Sequence, residues 1–182
     1  MKADMNWFAC VACILFVGCA STPPAVDDPA RRELLALLMP SRVEIVEPFT
    51  RIKSFDADAM PDGIELLLRA VNSLDNPGLM IAGRVRVELF EHVAASGDQK
   101  GRRLERWDVE LATSAQQRRY WNQLTQMYEF RLGVDPKVMP QAERYVLLVT
   151  FNSPLGDHLV DECVILNRGG ATPSLGTLSS KP

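Results

Sequence analysis

The sequence predicts a mainly β protein, an antiparallel two-sheet β-sandwich of about seven to eight strands with one or two short helices. From residue 42 onward, apolar residues recur at every second position, as in half-buried strands. Turn-forming groups such as Pro61-Asp62-Gly63 and Asp75-Asn76-Pro77-Gly78 separate these runs. Only two short segments have a helical pattern. A β-barrel with an inserted helix is the alternative architecture.

The N-terminal residues have the pattern of an export signal. Residues 7–17 form an uninterrupted apolar run that is followed by Gly18 and Cys19. A transmembrane helix needs about 20 apolar residues, so this run is too short to span a bilayer. It has the length of a signal-peptide core with a small residue before the cleavage site. Cys13 is a poorer cleavage site than Cys19, because too short an apolar run precedes it.

Phe16-Val17-Gly18-Cys19 resembles the lipobox of bacterial lipoproteins, in which Leu, a small or aliphatic residue and Gly or Ala precede the Cys. The resemblance implies cleavage before Cys19, which would carry a diacylglyceryl thioether and an acylated amino group. Several acyl chains hold a protein stably on a bilayer. An Asp after the Cys implies inner-membrane retention in many Gram-negative bacteria, and Ala20 stands there instead. The resemblance therefore implies an extracytoplasmic, lipid-anchored protein on the outer membrane, facing the periplasm. An ordinary secreted protein is the alternative.

Four segments are expected on this basis. Residues 1–18 are a signal peptide, 19–40 a lipid-anchored linker with a short helix, 41–168 the β-sandwich domain, and 169–182 a disordered tail. Asp27-Asp28 and Pro29 form a helix start, and Pro40 ends the helical segment. We expect this helix to dock against the protein rather than against lipid.

The strands are predicted from alternation between turn signals. The run 81–92 alternates most clearly, with Val85, Val87 and Leu89 on one face. The run 104–111 follows it across a polar loop, as in a hairpin. The predicted strands cover residues 43–49, 64–71, 81–92, 104–111, 127–132, 144–152 and 158–166.

A second short helix is predicted over residues 115–124, capped by Thr113 or Ser114. Trp121 and Leu124 are three residues apart, so they share an apolar face of this helix. We expect Trp121 to fill an open end of the sandwich. If it is exposed instead, the possible partner surface consists of Arg118, Arg119, Tyr120 and Trp121.

Charge and cysteine content exclude some classes of protein. The chain has 20 Lys and Arg against 23 Asp and Glu, a net charge of −3 that is too mild to predict a nucleic-acid partner. Cys10 and Cys13 leave with the signal peptide and Cys19 is acylated, so Cys163 has no partner for a disulfide. Its neighbours Asp161 and Glu162 raise a thiol pKa. Cys163 is therefore expected to be a buried, unreactive core residue.

No catalytic, metal-binding or cofactor-binding set of residues is expected. The two histidines, His92 and His158, have no second His or Cys at the spacing of a zinc site. Asp56, Asp58 and Asp62 lie in one loop, which a tight turn explains better than a calcium site. The sequence also lacks a Gly-x-Ser-x-Gly elbow and a phosphate-binding glycine loop.

Two stretches, Phe-Asp-x-Asp…Pro-Asp-Gly-Ile-Glu at 55–65 and Arg-Arg-Tyr-Trp…Met-Tyr-Glu-Phe at 118–130, resemble small envelope lipoproteins of uncharacterised function. That resemblance implies no known activity. From the lipobox, and because no catalytic or metal-binding set is found, we expect a lipid-anchored, non-enzymatic binding or structural module without a cofactor. Its partners would be the membrane, through the anchor, and an envelope protein or polysaccharide. Two alternatives stay open. A hydrolase would need His92 or His158 beside a carboxylate and a nucleophile, and a carbohydrate- or peptide-binding sandwich would expose Trp107, Tyr120, Trp121 and Tyr128 on one surface.

Overall fold

A computed structural model describes residues 29–56, 61–135, 137 and 142–167 of the chain. The predicted signal peptide, Cys19 with the linker to residue 28, and the predicted disordered tail 169–182 lie outside the described residues. The described residues form nine strands and two α-helices. In chain order these are α1 Pro29–Leu38, β1 Pro40–Ile45, β2 Arg51–Lys53, β3 Gly63–Asn72, β4 Arg84–His92, β5 Lys100–Glu110, α2 Ser114–Tyr120, β6 Trp121–Asn122, β7 Met127–Gly133, β8 Arg144–Asn152 and β9 His158–Leu166.

The strands build two antiparallel sheets, so the predicted two-sheet β-sandwich is confirmed. The first sheet has the order β1-β3-β7-β6, and β2 pairs with the N-terminal half of β3 on the same edge as β1. The second sheet has the order β5-β4-β8-β9. Hairpins connect β4 to β5 and β8 to β9, as the alternation across single loops predicts.

The core lies between the two sheets and follows the period-two pattern. Val85, Val87 and Leu89 of β4 are completely buried, and they face the second layer as predicted. From the first sheet, Leu66 and Phe130 are equally buried. The two inner faces form one hydrophobic cluster. Removal of this apolar surface from water is the main force that holds the sheets together.

One side of the sandwich is closed by a contact between edge strands. The backbone N–H of Ile45 on β1 donates to Asp161 Oδ2 on β9 at 2.6 Å. An edge strand has backbone groups without a ladder partner, and they favour pairing with another chain. Asp161 satisfies one of these groups from within the same molecule and links the two sheets.

The predicted first strand, 43–49, is wrong in its second half. A 3-10 turn, Glu47–Phe49, separates β1 from β2. Pro48 explains the break, because proline has no N–H to donate and its φ angle is fixed. The structure therefore has nine strands where about seven to eight are predicted, because β2 is a separate strand and β6 is an additional strand of two residues.

We call one end of the sandwich the α2 end; it consists of helix α2, the turn 123–126 and the loops 73–83 and 153–157. These segments lie together because β3 and β8 end there and β4 and β7 begin there. Two glycines show how closely the loops approach. A Cβ on Gly78, whose φ is +84°, would lie 2.8 Å from Gln126 Oε1, and a Cβ on Gly83 would collide with the Asn152 carbonyl.

Helix α1 meets the same end of the fold. The carbonyl of Leu37 accepts a hydrogen bond at 3.0 Å from Nδ2 of Asn72, the last residue of β3. The leucines of α1 are nevertheless exposed. The expected docking of this helix against the protein is therefore wrong for its apolar face, which the described residues leave uncovered.

Candidate functional site

Helix α2 carries the predicted partner residues, and local hydrogen bonds fix where it starts. Thr113 Oγ1 accepts from the N–H of Gln116, and Gln116 Oε1 accepts from the N–H of Thr113 at 2.9 Å. This reciprocal pair is a capping box, which satisfies two backbone donors at the helix start. The predicted cap at Thr113 is thus confirmed.

The predicted C-terminal end of this helix is wrong. The helix ends at Tyr120, because Trp121 is extended and begins β6. Asn122 explains the change, since its Oδ1 accepts from the N–H groups of Leu124 and Thr125 and forms a turn. Leu124 is therefore 93% exposed and does not share an apolar helix face with Trp121.

The four predicted surface residues divide into two pairs. Arg118 and Arg119 are exposed, whereas Tyr120 and Trp121 are half-buried and pack against the core. The Tyr120 ring lies 5.2 Å from that of Phe130, and the guanidinium carbon of Arg119 lies 5.4 Å from the centre of the Tyr120 ring. Trp121 meets the ring of Tyr128 edge-on at 4.9 Å. Trp121 thus packs against the core from a strand and stays half-buried, instead of filling the end of the sandwich from a helix.

A partly buried hydrogen-bond network holds α2 on the sandwich, and the spacing of residues does not predict it. Gln117 Nε2 donates to the carbonyls of Ile81 and Leu111 at 2.7 and 2.6 Å. The hydroxyl of Tyr128 donates to Gln117 Oε1 at 2.7 Å and accepts from the N–H of Ile81. Burial raises the pKa of Tyr128. Every polar atom of the Gln117 amide group therefore has a defined partner, which makes α2 a rigid platform.

Three loop tips at the α2 end present an exposed leucine in the same way. A polar side chain two residues earlier accepts the leucine N–H: Asn72 for Leu74, Asn122 for Leu124 and Ser153 for Leu155, at 3.0, 2.8 and 3.1 Å. These leucines are 60%, 93% and 71% exposed. Such side-chain-to-backbone bonds fix tight turns. The three apolar tips are therefore held in place rather than loosely exposed.

A shallow groove of about 590 Å³ lies beside these tips. Gly83, Arg84, Glu110 and Asn152 are among the residues that line it. Arg84 forms an ion pair with Glu110 across the β4–β5 ladder. Arg86, which also lines the groove, is paired with Asp108. Both cations of the groove are therefore paired, and the groove offers neutral hydrogen-bonding groups rather than a free charge.

The two histidines do not lie together in a reactive site. Nδ1 of His158 lies 2.8 Å from the side-chain oxygen of Asn152, an amide rather than a carboxylate. His92 is at the other end of the second sheet, opposite Lys100. Among the described residues, no group of three or more His, Cys, Asp or Glu side chains is placed to hold a metal ion.

The aromatic residues of the carbohydrate-binding alternative do not form one exposed surface. Tyr128 is completely buried in the core. Trp107 is half-buried, and its Nε1 donates to the carbonyl of Gly133 at 3.0 Å. Trp121 and Tyr120 also pack against the core. The four rings therefore contribute mainly to packing in the interior and not to a surface on which a ligand could stack.

Cys163 is buried, and its predicted position in the core is confirmed. Burial, with help from the nearby carboxylates Glu47, Asp161 and Glu162, raises its pKa to about 12. The thiol is therefore protonated at neutral pH, and thiolate is the nucleophilic form.

No protein-family model, curated protein or solved structure matches this chain. The described part of the chain contains no helix that is long and apolar enough to cross a membrane. The candidate site is thus defined by the geometry of the α2 end alone.

Proposed function

We propose that this protein is a lipid-anchored cell-envelope protein, held through Cys19 on the periplasmic face of the outer membrane. Its β-sandwich acts as a non-enzymatic binding or structural module, and the α2 end is its binding surface. The observation that carries this proposal is the tetrapeptide Phe16-Val17-Gly18-Cys19 directly after the apolar run 7–17. Acylation of Cys19 would hold the domain at a bilayer without a membrane-spanning helix.

The geometry of the α2 end supports a binding role. Binding is favoured when the contact groups are already ordered, because less conformational entropy is lost on association. The capping box and the Gln117–Tyr128 network order α2, and three further side chains order the leucine tips. Exposed apolar tips at the same end of the sandwich as the exposed cationic side chains Arg118 and Arg119 suit a partner that is partly apolar and partly anionic.

Two other functions are kept as hypotheses. A polysaccharide or peptide ligand is favoured by the groove beside Arg84 and Asn152, which offers hydrogen-bonding groups in a concave surface. A hydrolase would require a nucleophile and a base at His92 or His158, and no described contact favours it over a binding role.

Substitution of Cys19 tests the anchor. We expect the full chain, produced in a Gram-negative host with a clickable palmitate analogue, to incorporate the label and to partition into detergent. Cys19→Ala should lose all of the label, because the acyl chains require this sulfur. The measurement is label per protein on a gel, since an uncleaved signal peptide would itself partition into detergent.

Cys13→Ala is the matched control, since it removes a cysteine from the same N-terminal segment. It should keep the label at the wild-type level. Wild-type protein without label, or Cys19→Ala with wild-type labelling, would contradict the proposed anchor.

A further inference from the structure

The exposed apolar side chains of this protein are concentrated at one end of the sandwich. Single exposed apolar residues are common on protein surfaces, but a concentration of them marks an interaction site. Among the described residues, thirteen large hydrophobic side chains are exposed, and eight of them belong to α1 or to the loops of the α2 end. These eight are Leu34, Leu35, Leu37, Leu38, Leu74, Met80, Leu124 and Leu155.

The three leucine tips come from separate loops, and each is fixed by its own hydrogen bond. The loops approach one another closely, as the contacts of Gly78 with Gln126 and of Gly83 with Asn152 show. Rigid apolar tips keep their side chains available for insertion into an apolar phase.

The short tether, residues 20–28 between Cys19 and helix α1, indicates that this apolar phase is the bilayer. Nine residues lie between Cys19 and Pro29, and the ten steps of an extended chain span at most ~3.5 Å each, or about 35 Å in total. Helix α1 begins at Pro29 and contacts the α2 end through Asn72. A lipid on Cys19 would therefore keep the start of α1 within this distance of the bilayer, and α1 is the element that joins the tether to the α2 end.

Two arginines at the α2 end suit a lipid surface. Arg118 and Arg119 are exposed, and neither forms an ion pair with another described residue. Most other arginines of the described sheets are paired with carboxylates, as Arg84 is with Glu110. Guanidinium groups suit the phosphates of lipid headgroups, because the planar fork can bind two oxygens at once.

We propose that the α2 end docks on the phospholipid bilayer that holds the anchor. Leu74, Leu124, Leu155 and the leucines of α1 enter the boundary between headgroups and acyl chains, and Arg118 and Arg119 lie at the level of the phosphates. The inference rests on the proposed function, because the lipid at Cys19 brings this end to the membrane. Docking fixes the orientation of the sandwich and directs the β4–β5 turn away from the bilayer.

A fluorescent probe at a leucine tip tests this docking. The full-chain lipoprotein carrying Leu124→Cys is labelled with an environment-sensitive dye and reconstituted into protein-free phosphatidylethanolamine–phosphatidylglycerol vesicles. Cys163 should stay unlabelled, because it is buried and protonated. Nitroxide-labelled lipids should quench the probe at position 124 several-fold more than a probe at Val93→Cys. Val93 is the matched control, an exposed apolar residue in the turn at the opposite end.

Each outcome separates the docking from the anchor. Protein that fails to float with the vesicles would show that the anchor is wrong. Protein that floats, but with equal quenching at positions 124 and 93, would overturn the docking while the anchor stands. A probe at position 124 that is shielded from water in native envelope membranes, but not in protein-free vesicles, would also overturn the docking. A protein rather than lipid would then cover the surface. Leu155→Cys gives a second tip if Leu124→Cys does not fold, and it should behave in the same way.

Discussion

Phe130→Ala should destabilise the sandwich by about 3–5 kcal/mol, the usual cost of truncating a buried aromatic residue. The Phe130 side chain is completely buried, and its ring stacks on that of Tyr128 at 6.0 Å. The Phe130 ring also packs against the ring of Tyr120, with 5.2 Å between the ring centres. A domain of this size has a total stability of about 5–15 kcal/mol, so the variant should retain little or no folded population at elevated temperature. Urea unfolding of the full chain, followed by tryptophan fluorescence, measures the change.

Arg131→Ala is the control, because Arg131 is the next residue but lies on the outer face of β7. Its effect should stay within about 0.5 kcal/mol, as for most surface substitutions. Equal unfolding midpoints for the wild type and Phe130→Ala would show that the inner face of β7 is not where the structure places it.

Gln117→Ala should cost about 3 kcal/mol, which is large for a residue that is only partly buried. The substitution removes the donor to the Ile81 and Leu111 carbonyls and the acceptor of the Tyr128 hydroxyl. A buried polar group that loses its partner costs about 1–3 kcal/mol. The same variant should also destabilise helix α2 locally. We therefore expect the backbone amides of residues 114–120 to exchange hydrogen faster than in the wild type.

Gln123→Ala is the matched control, since Gln123 is an exposed glutamine a few residues further along the chain. It should leave stability unchanged within about 0.5 kcal/mol. Tyr128→Phe and the double variant complete a mutant cycle. We expect the double variant to cost about 1 kcal/mol less than the sum of the single variants, because both remove the same bond. Strict additivity would contradict the network.

The strands were predictable because their burial pattern is local in the sequence. In β4 every second side chain is buried as far as Leu89, and the period-two signal of Val85, Val87 and Leu89 needs no knowledge of the partner strands. The helix cap at Thr113 was predictable for the same reason, because both halves of the capping box lie three residues apart.

The errors occurred where distant or competing interactions decide the structure. The apolar spacing of Trp121 and Leu124 favours a longer helix, but the turn at Asn122 and the pairing of β6 with β7 end it at Tyr120. The network of Gln117 joins residues 36 positions apart in the sequence, so spacing could not reveal it. An Asn or Ser two residues before a leucine is a local signal, and it would have located the three tips.

The central claim is that Cys19 is the acylated first residue of the mature protein, and the mass of the N-terminal peptide tests it most directly. Trypsin should release the peptide 19–31 from wild-type protein purified from a membrane fraction. We expect this peptide to begin at Cys19 and to carry the added mass of a diacylglyceryl group and an amide-linked acyl chain. A peptide that begins elsewhere, or an unmodified Cys19, would contradict the anchor and with it the docking of the α2 end on the bilayer.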